Sequence, residues 1–217
     1  MTISIVDYEL LNDTHNYYDV SFFSDRIHTL VTHDPKCVSD WLSETERFQS
    51  RHLSHLIVGL DVEWRPNFNR NQENPVAIIQ LCVGHRCLIF QILQCVKTYN
   101  ESIPKKLREF LAKEEYTFVG VGIESDVEKL VEDYEIGIGG KTVDLRNLAA
   151  EKYDLKSLKN AGLKELARVV LEKEIEKPKW VTMSKWDNLW LIPNQVQYAC
   201  VDAFVSFEIG KRLNASS

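Results

Sequence analysis

A chain of 217 residues, 44% hydrophobic and 27% charged, has the composition of a soluble globular protein with one large domain. No apolar run reaches the roughly 20 residues that cross a bilayer, and the polar, acidic N-terminus argues against a secretory signal, so we expect no membrane partner. The five cysteines are scattered and form no Cys-x-x-Cys pair, so neither a disulfide framework nor a zinc site is indicated. A reducing compartment, the cytoplasm or nucleus, is therefore expected.

The formal net charge of −6 opposes nucleic-acid binding by the chain as a whole, but the charge is unevenly distributed. Residues 1–50 carry nine acidic and three basic residues, whereas residues 141–185 carry eleven basic and seven acidic residues. The basic part of the chain is suited to a phosphate backbone, although a solvated helix face explains the same lysines. A site that binds divalent metal ions would also neutralise phosphate.

The first half of the chain predicts mainly strands, which are marked by apolar runs and β-branched residues. They are expected at residues 19–24, 27–32, 56–64, 76–83 and 86–90. Gly84 and His85 form a tight turn that suits a hairpin between the last two. Asp34 is a favourable N-cap and Pro35 fits the first helical turn, so a helix is predicted from Pro35 to about Phe48.

The second half predicts mainly helices. A buried strand at residues 117–123 runs into a helix from Ser125, where Ser125 and Glu128 predict a capping box. The other helices are expected at about 104–113, 145–153, 162–172 and 194–213, with an irregular, aromatic-rich connector at 175–191. Antiparallel strands followed by alternating strands and helices predict a mixed sheet covered by helices, an α/β layered domain.

Two acidic residues lie where charge is least expected. Asp61 and Glu63 stand at positions i and i+2 at the end of the most apolar strand, so both side chains face one side of the sheet, about 7 Å apart. Like charges so placed repel, and burial disfavours their ionised forms. No Lys or Arg lies between them, whereas a divalent cation would relieve the repulsion. The alternative is that the strand emerges into solvent there and the pair has no function.

Further acidic residues follow the second buried strand and lie on the last helix. Asp126 falls in a first helical turn, beyond the end of a strand where α/β folds bind ligands, although an acid there also complements the helix dipole. Tyr198 and Asp202 share one helix face, and their alternative interpretation is a core tyrosine beside an incidental acid. Together the four acids offer the oxygen ligands that Mg²⁺ and Mn²⁺ favour, enough for two ions.

Three segments that contain these residues resemble, in order, the motifs of the DnaQ-like 3′→5′ exonucleases. The segments are 59–64 (GLDVEW), 118–130 (FVGVGIESDVEKL) and 195–203 (QVQYACVDA). The resemblance is to the branch with a catalytic tyrosine and is closest to the Werner-syndrome-type exonuclease domain. It covers residues 25–213, the expected exonuclease domain, and leaves residues 1–24 as an N-terminal extension. It implies an RNase H-like fold, a mixed sheet flanked by helices.

The resemblance also implies a two-metal 3′→5′ exonuclease that releases nucleoside monophosphates. All five positions of the catalytic set are filled. Two Mg²⁺ (or Mn²⁺) ions would be held by four acidic ligands, and a neutral tyrosine would orient the attacking water. Trp64 is predicted to stack on a terminal base, with packing as its alternative role. The predicted catalytic residues are Asp61, Glu63, Asp126, Tyr198 and Asp202, of which all but Tyr198 are predicted metal ligands.

The predicted substrate is the 3′ end of a single-stranded nucleic acid, with RNA favoured over DNA because a small domain without a helicase or polymerase suits short ends. One alternative is an inactive RNase H-like protein that binds nucleic acid or acts as a scaffold. Another is an endonuclease with the same two-metal chemistry. Because an acidic domain can gain a basic surface by assembling, a homo-oligomer is expected.

Overall fold

The computed structural model describes residues 3–10, 13–50, 53–67, 73–100 and 103–216. Within them, eight strands form one mixed sheet. Its strands are β1 (Ile3–Asp7), β2 (His15–Phe22), β3 (Asp25–Thr32), β4 (Ile57–Trp64), β5 (Val76–Val83), β6 (Arg86–Phe90), β7 (Thr117–Gly120) and β8 (Lys141–Asp144). They lie in the order β1-β2-β3-β6-β5-β4-β7-β8. Strand β4 pairs antiparallel with β5 and parallel with β7, so it is an interior strand.

Helices cover the sheet. They are α1 (Pro35–Phe48), α2 (Ile92–Thr98), α3 (Lys105–Leu111), α4 (Ile123–Tyr134), α5 (Leu145–Tyr153), α6 (Leu163–Leu166), α7 (Lys179–Thr182) and α8 (Pro193–Arg212). The described residues also form two 3₁₀ turns, at Leu53–His55 and Lys156–Asn160, and one π-helical turn, at Ala167–Leu171. Among the described helices, none has the length and apolar composition to cross a membrane. A mixed sheet flanked by helices confirms the predicted α/β architecture.

Two hydrophobic cores lie against the sheet. Along β4, Leu60 and Val62 contribute to the core that includes α1, α3 and α4. Gly59 instead faces α8, whose buried residues belong to the other core. Because side chains alternate across a strand, Asp61 and Glu63 share the face of Gly59. The two acids of β4 therefore point toward α8.

Helix α8 rests directly on β4 at Gly59. A Cβ atom added to Gly59 would lie 2.1 Å from the carbonyl oxygen of Ala203 and 2.9 Å from the backbone nitrogen of Phe207. Only a residue without a side chain permits this approach of two backbones. The contact fixes the distance between the strand that carries Asp61 and the helix that carries Asp202.

The N-terminal part of the sheet differs in detail from the prediction. The strand expected at residues 19–24 is longer and ends earlier, at His15–Phe22, and β1 adds an edge strand beside it. The described part of the expected N-terminal extension thus contributes two strands to the same sheet, whereas residues 1, 2, 11 and 12 lie outside the described residues. The hairpin turn predicted at Gly84 and His85 is confirmed by the antiparallel pairing of β5 and β6.

Candidate active site

Three of the four predicted acids meet between β4 and α8. Asp61, Glu63 and Asp202 each offer a carboxylate oxygen, and these oxygens lie within 4.8 Å of one another. Asp202 is buried, while Asp61 and Glu63 keep part of their surface exposed. Among the described residues, these three form the one such group of His, Cys, Asp or Glu side chains. The three carboxylates are close enough together to hold a metal ion, and two of them are partly exposed.

The fourth predicted acid, Asp126, flanks the cluster from the first turn of α4. The capping box predicted for Ser125 and Glu128 is wrong, because the strand ends at Gly120 and the helix begins at Ile123. Gly122 is the N-cap, with a left-handed φ of 77° that favours glycine. Burial raises the pKa of Asp126 to about 9, and the Asp61 charge contributes to the rise.

The turn that carries Asp126 is held by Asp144, at the end of β8. The Asp144 Oδ2 accepts a hydrogen bond of 3.0 Å from the backbone nitrogen of Gly122. Asp144 also accepts hydrogen bonds from the backbone nitrogen and the guanidinium of Arg146, at 2.8 and 2.5 Å. Burial favours a higher pKa for Asp144, but the bonds to Arg146 outweigh it and lower the pKa. Sequence reasoning did not single out Asp144, whose only signal is an acid at a strand–helix junction.

Arg146→Met is expected to destabilise the protein by about 1–2 kcal/mol, since it removes charge-assisted bonds to a buried carboxylate from a partly exposed arginine. The folded-state pKa of Asp144 lies below its ordinary value, so this stabilisation is complete above that value and is lost as the pH falls through the folded-state pKa. Urea denaturation should show an equal deficit at pH 7 and pH 5 and a smaller one at pH 3. Lys152→Met, on the exposed side of the same helix, is the control. An equal deficit at all three pH values would contradict the assignment.

The acid cluster is electrostatically unfavourable in the protein alone. Burial raises the pKa of Asp61, and the Asp202 charge raises it further. Burial raises the pKa of Glu63 as well, followed by the charges of Asp61 and Asp202. For Asp202, burial raises the pKa against the opposing effect of Lys177. Carboxylates in this condition gain from any cation placed among them.

Lys177 is a member of the site that sequence reasoning missed. Its Nζ lies 2.6 Å from the Oδ2 of Asp202 and 5.1 Å from the centre of the Tyr198 ring. Burial disfavours its charge, but Asp202, Asp61 and Glu63 outweigh that effect and raise the pKa of Lys177. The lysine comes from the irregular connector, where no periodic pattern indicates which side chain turns inward.

Tyr198 lies beside the acids, as predicted from its position one turn before Asp202. Burial raises its pKa above the ordinary value of 10.0, and the charges of Asp202 and Glu63 raise it further. The phenol is therefore neutral at physiological pH and can donate a hydrogen bond. Its ring centre lies 5.9 Å from that of Trp186, a buried residue whose indole nitrogen donates to the Thr182 carbonyl.

Trp64 does not join the cluster. Its ring packs against the core on the other face of β4, and the Nζ of Lys129 lies 5.3 Å from its centre. A contact between Trp64 and a nucleic-acid base stays a prediction, and this packing gives it no support.

Comparison with known proteins defines the class to which this fold and site belong. Residues 38–216 match the model of a family described as 3′-5′ exonuclease. The chain belongs to this 3′-5′ exonuclease family, which confirms the resemblance predicted from the three motifs.

Two relatives show how far the similarity extends. A 3′-5′ exonuclease of Arabidopsis thaliana is 35% identical over 160 residues, which cover 72% of this chain and 52% of the relative. The bifunctional 3′-5′ exonuclease/ATP-dependent helicase WRN of Mus musculus is 34% identical over 158 residues, which cover 72% of this chain and 11% of the relative. The matched region thus spans about half of one relative and a small part of the other.

The fold is shared with a solved structure of low sequence identity. The catalytic core of RRP6 from Trypanosoma brucei superposes with a TM-score of 0.65 at 14% identity, and the match covers 85% of this chain and 46% of that chain. This similarity supports the predicted RNase H-like architecture.

Proposed function

We propose that this protein is a metal-dependent 3′→5′ exonuclease that hydrolyses the terminal phosphodiester bond of a single-stranded nucleic acid and releases nucleoside monophosphates. The observation that carries the proposal is the meeting of three carboxylates from β4 and α8 within 4.8 Å of one another. Membership of the 3′-5′ exonuclease family supports it, as do the names of the Arabidopsis and mouse relatives.

The residues present fit a divalent cation. Their donors are carboxylate oxygens, the ligands that Mg²⁺ and Mn²⁺ prefer. Burial and the neighbouring carboxylates raise the pKa values of Asp61 and Glu63, and a cation among them would offset both effects. Asp61 is the central member, because its charge is the largest that acts on both Glu63 and Asp126. In a two-ion site, Asp61 would serve both ions, Glu63 and Asp202 would help to hold one, and Asp126 would help to hold the other.

When bound, the cations would lower the pKa of a water molecule and neutralise charge on the phosphate. The protein positions the acidic ligands and the tyrosine. Gly59 brings α8 onto β4, and Asp144 holds the turn that presents Asp126. Tyr198, protonated at neutral pH, donates a hydrogen bond that orients the attacking water and does not act as a base.

Tyr198→Phe is expected to lower kcat by about 10- to 100-fold, the value of one hydrogen bond in a largely buried, charged site. The KM for the oligonucleotide should change little, because the phenol orients water and does not bind the chain. Tyr153→Phe, at an exposed tyrosine of α5, is the control and should leave both constants unchanged. An unaltered kcat for Tyr198→Phe would remove the phenol from the mechanism.

The test of the proposed function is digestion of end-labelled RNA and DNA, single- and double-stranded, in Mg²⁺, Mn²⁺ or EDTA. We expect mononucleotides to be released from the 3′ end, faster from single-stranded RNA, with none in EDTA and none from an oligonucleotide with a blocked 3′ terminus. Internal products would instead indicate an endonuclease, and binding without turnover would indicate an inactive scaffold. A homo-oligomeric state and a location in the cytoplasm or nucleus stay predictions.

A further inference from the structure

We propose that Lys177 is a built-in counter-ion of the acid cluster, which occupies Asp202 in the metal-free protein and competes there with the divalent cation. The inference rests on the proposed function, because it takes the acid cluster to be a metal site. It adds a residue outside the three motifs that sets the metal affinity of the site.

The first support is the geometry of the ion pair. Lys177 Nζ lies 2.6 Å from Asp202 Oδ2, and the side chains are 30% and 3% exposed. By contrast, the ion pair of Lys36 with Asp40, whose side chains are 81% and 60% exposed, is solvated and contributes little. A pair shielded from water interacts more strongly. Lys177 therefore stabilises the carboxylate that α8 buries.

The second support is the way the chain presents Lys177. Ile175 on one side and Val181 on the other are buried in the core, each 1% exposed, and they anchor the backbone of this segment. Pro178, the N-cap of α7, restricts it further. The long side chain of Lys177 is partly exposed, so its Nζ has room to leave Asp202 while its backbone stays in place.

The third support is the formal charge of the complete site. Four carboxylates balance two divalent cations, so a phosphodiester entering that site brings one uncompensated negative charge. Lys177, displaced from Asp202 but still tethered beside it, supplies the one positive charge that restores neutrality. Removal of Lys177 should therefore strengthen metal binding and weaken substrate binding, a combination that a purely structural role would not produce.

The first experiment measures Mn²⁺ binding by calorimetry. Lys177→Met is expected to bind Mn²⁺ about tenfold more tightly than the wild type, because the ion no longer competes with the lysine for Asp202. A tenfold change is smaller than the full interaction energy of two unit charges at the distance of the ion pair. The same variant should show a lower Tm in EDTA that Mn²⁺ restores, and a KM for the oligonucleotide raised by about tenfold. Lys177→Arg keeps the charge and should stay near the wild-type affinity. Lys179→Met, at an exposed lysine two residues away, should match the wild type.

The second experiment needs no variant. Reductive methylation of the wild-type protein, followed by mass spectrometry, should label Lys177 slowly in EDTA and several-fold faster in Mn²⁺, with Lys179 as the internal reference. Wild-type binding of Mn²⁺ with no gain in affinity for Lys177→Met, or with no rise in Lys177 labelling, would overturn the inference while the proposed function stands. A wild-type protein that binds no Mn²⁺ would overturn the proposed metal site itself.

Discussion

Asp61→Asn is expected to lower kcat by at least about 1000-fold while the protein remains folded, because it removes the carboxylate assigned to both ions and several kcal/mol of transition-state stabilisation with it. The same change should raise the stability of the metal-free protein by about 1 kcal/mol, since it deletes a charge that burial and Asp202 both disfavour. Opposite effects on activity and stability identify a residue kept for chemistry and not for folding.

The measurements are single-turnover digestion in Mg²⁺ and thermal unfolding in EDTA. Asp40→Asn is the matched control, an aspartate exposed on α1 whose ion pair with Lys36 is solvated, and it should alter neither quantity. Asp61→Asn protein with activity within tenfold of the wild type would contradict the role assigned to this residue. A lower Tm in EDTA would contradict the electrostatic account of the cluster.

The second large effect, on both stability and activity, is expected for Gly59→Ala. The added methyl group would lie 2.1 Å from the Ala203 carbonyl oxygen, and a backbone atom cannot move aside as a flexible side chain can. We expect a loss of about 3 kcal/mol or more, at the upper end of the range for overpacked cores. Any folded fraction should also lose most of its activity, because α8 must lift from β4 and carry Asp202 away from Asp61.

Urea denaturation measures the loss of stability, and single-turnover digestion in Mg²⁺ by the folded protein measures the loss of activity. Gly137→Ala is the control, since nothing lies within 4 Å of a Cβ atom at this exposed position. It should be neutral or slightly stabilising, because alanine reduces the entropy of the unfolded chain. Normal stability of Gly59→Ala would show that the contact between α8 and β4 can relax.

The parts of the fold that follow a local period were predictable from the sequence. The alternation of β4 placed Asp61 and Glu63 on one face, and the four-residue spacing on the last helix placed Tyr198 and Asp202 together. Their convergence is a long-range contact, and no local pattern encodes it. It was inferred from the resemblance of three ordered motifs.

The features that the sequence analysis missed depend on contacts that no local sequence pattern indicates. Lys177 lies in a segment without helical or strand period, so nothing in its neighbours distinguishes it from the exposed Lys179. Asp144 acts through a hydrogen bond to Gly122, 22 positions earlier in the chain. The capping box was wrong because Ser125 and Glu128 satisfy the motif in sequence, while a left-handed glycine starts the helix three residues sooner.

The backbone contact at Gly59 affects which substitutions the protein can accept during evolution. Main-chain atoms, whose size is the same in every residue, set the gap between α8 and β4 at this point. Substitutions that enlarge or shrink neighbouring core side chains can be absorbed elsewhere without altering the spacing of the carboxylates. The spacing of the carboxylates on β4 and α8 therefore depends little on the size of the surrounding hydrophobic side chains, as long as Gly59 is retained.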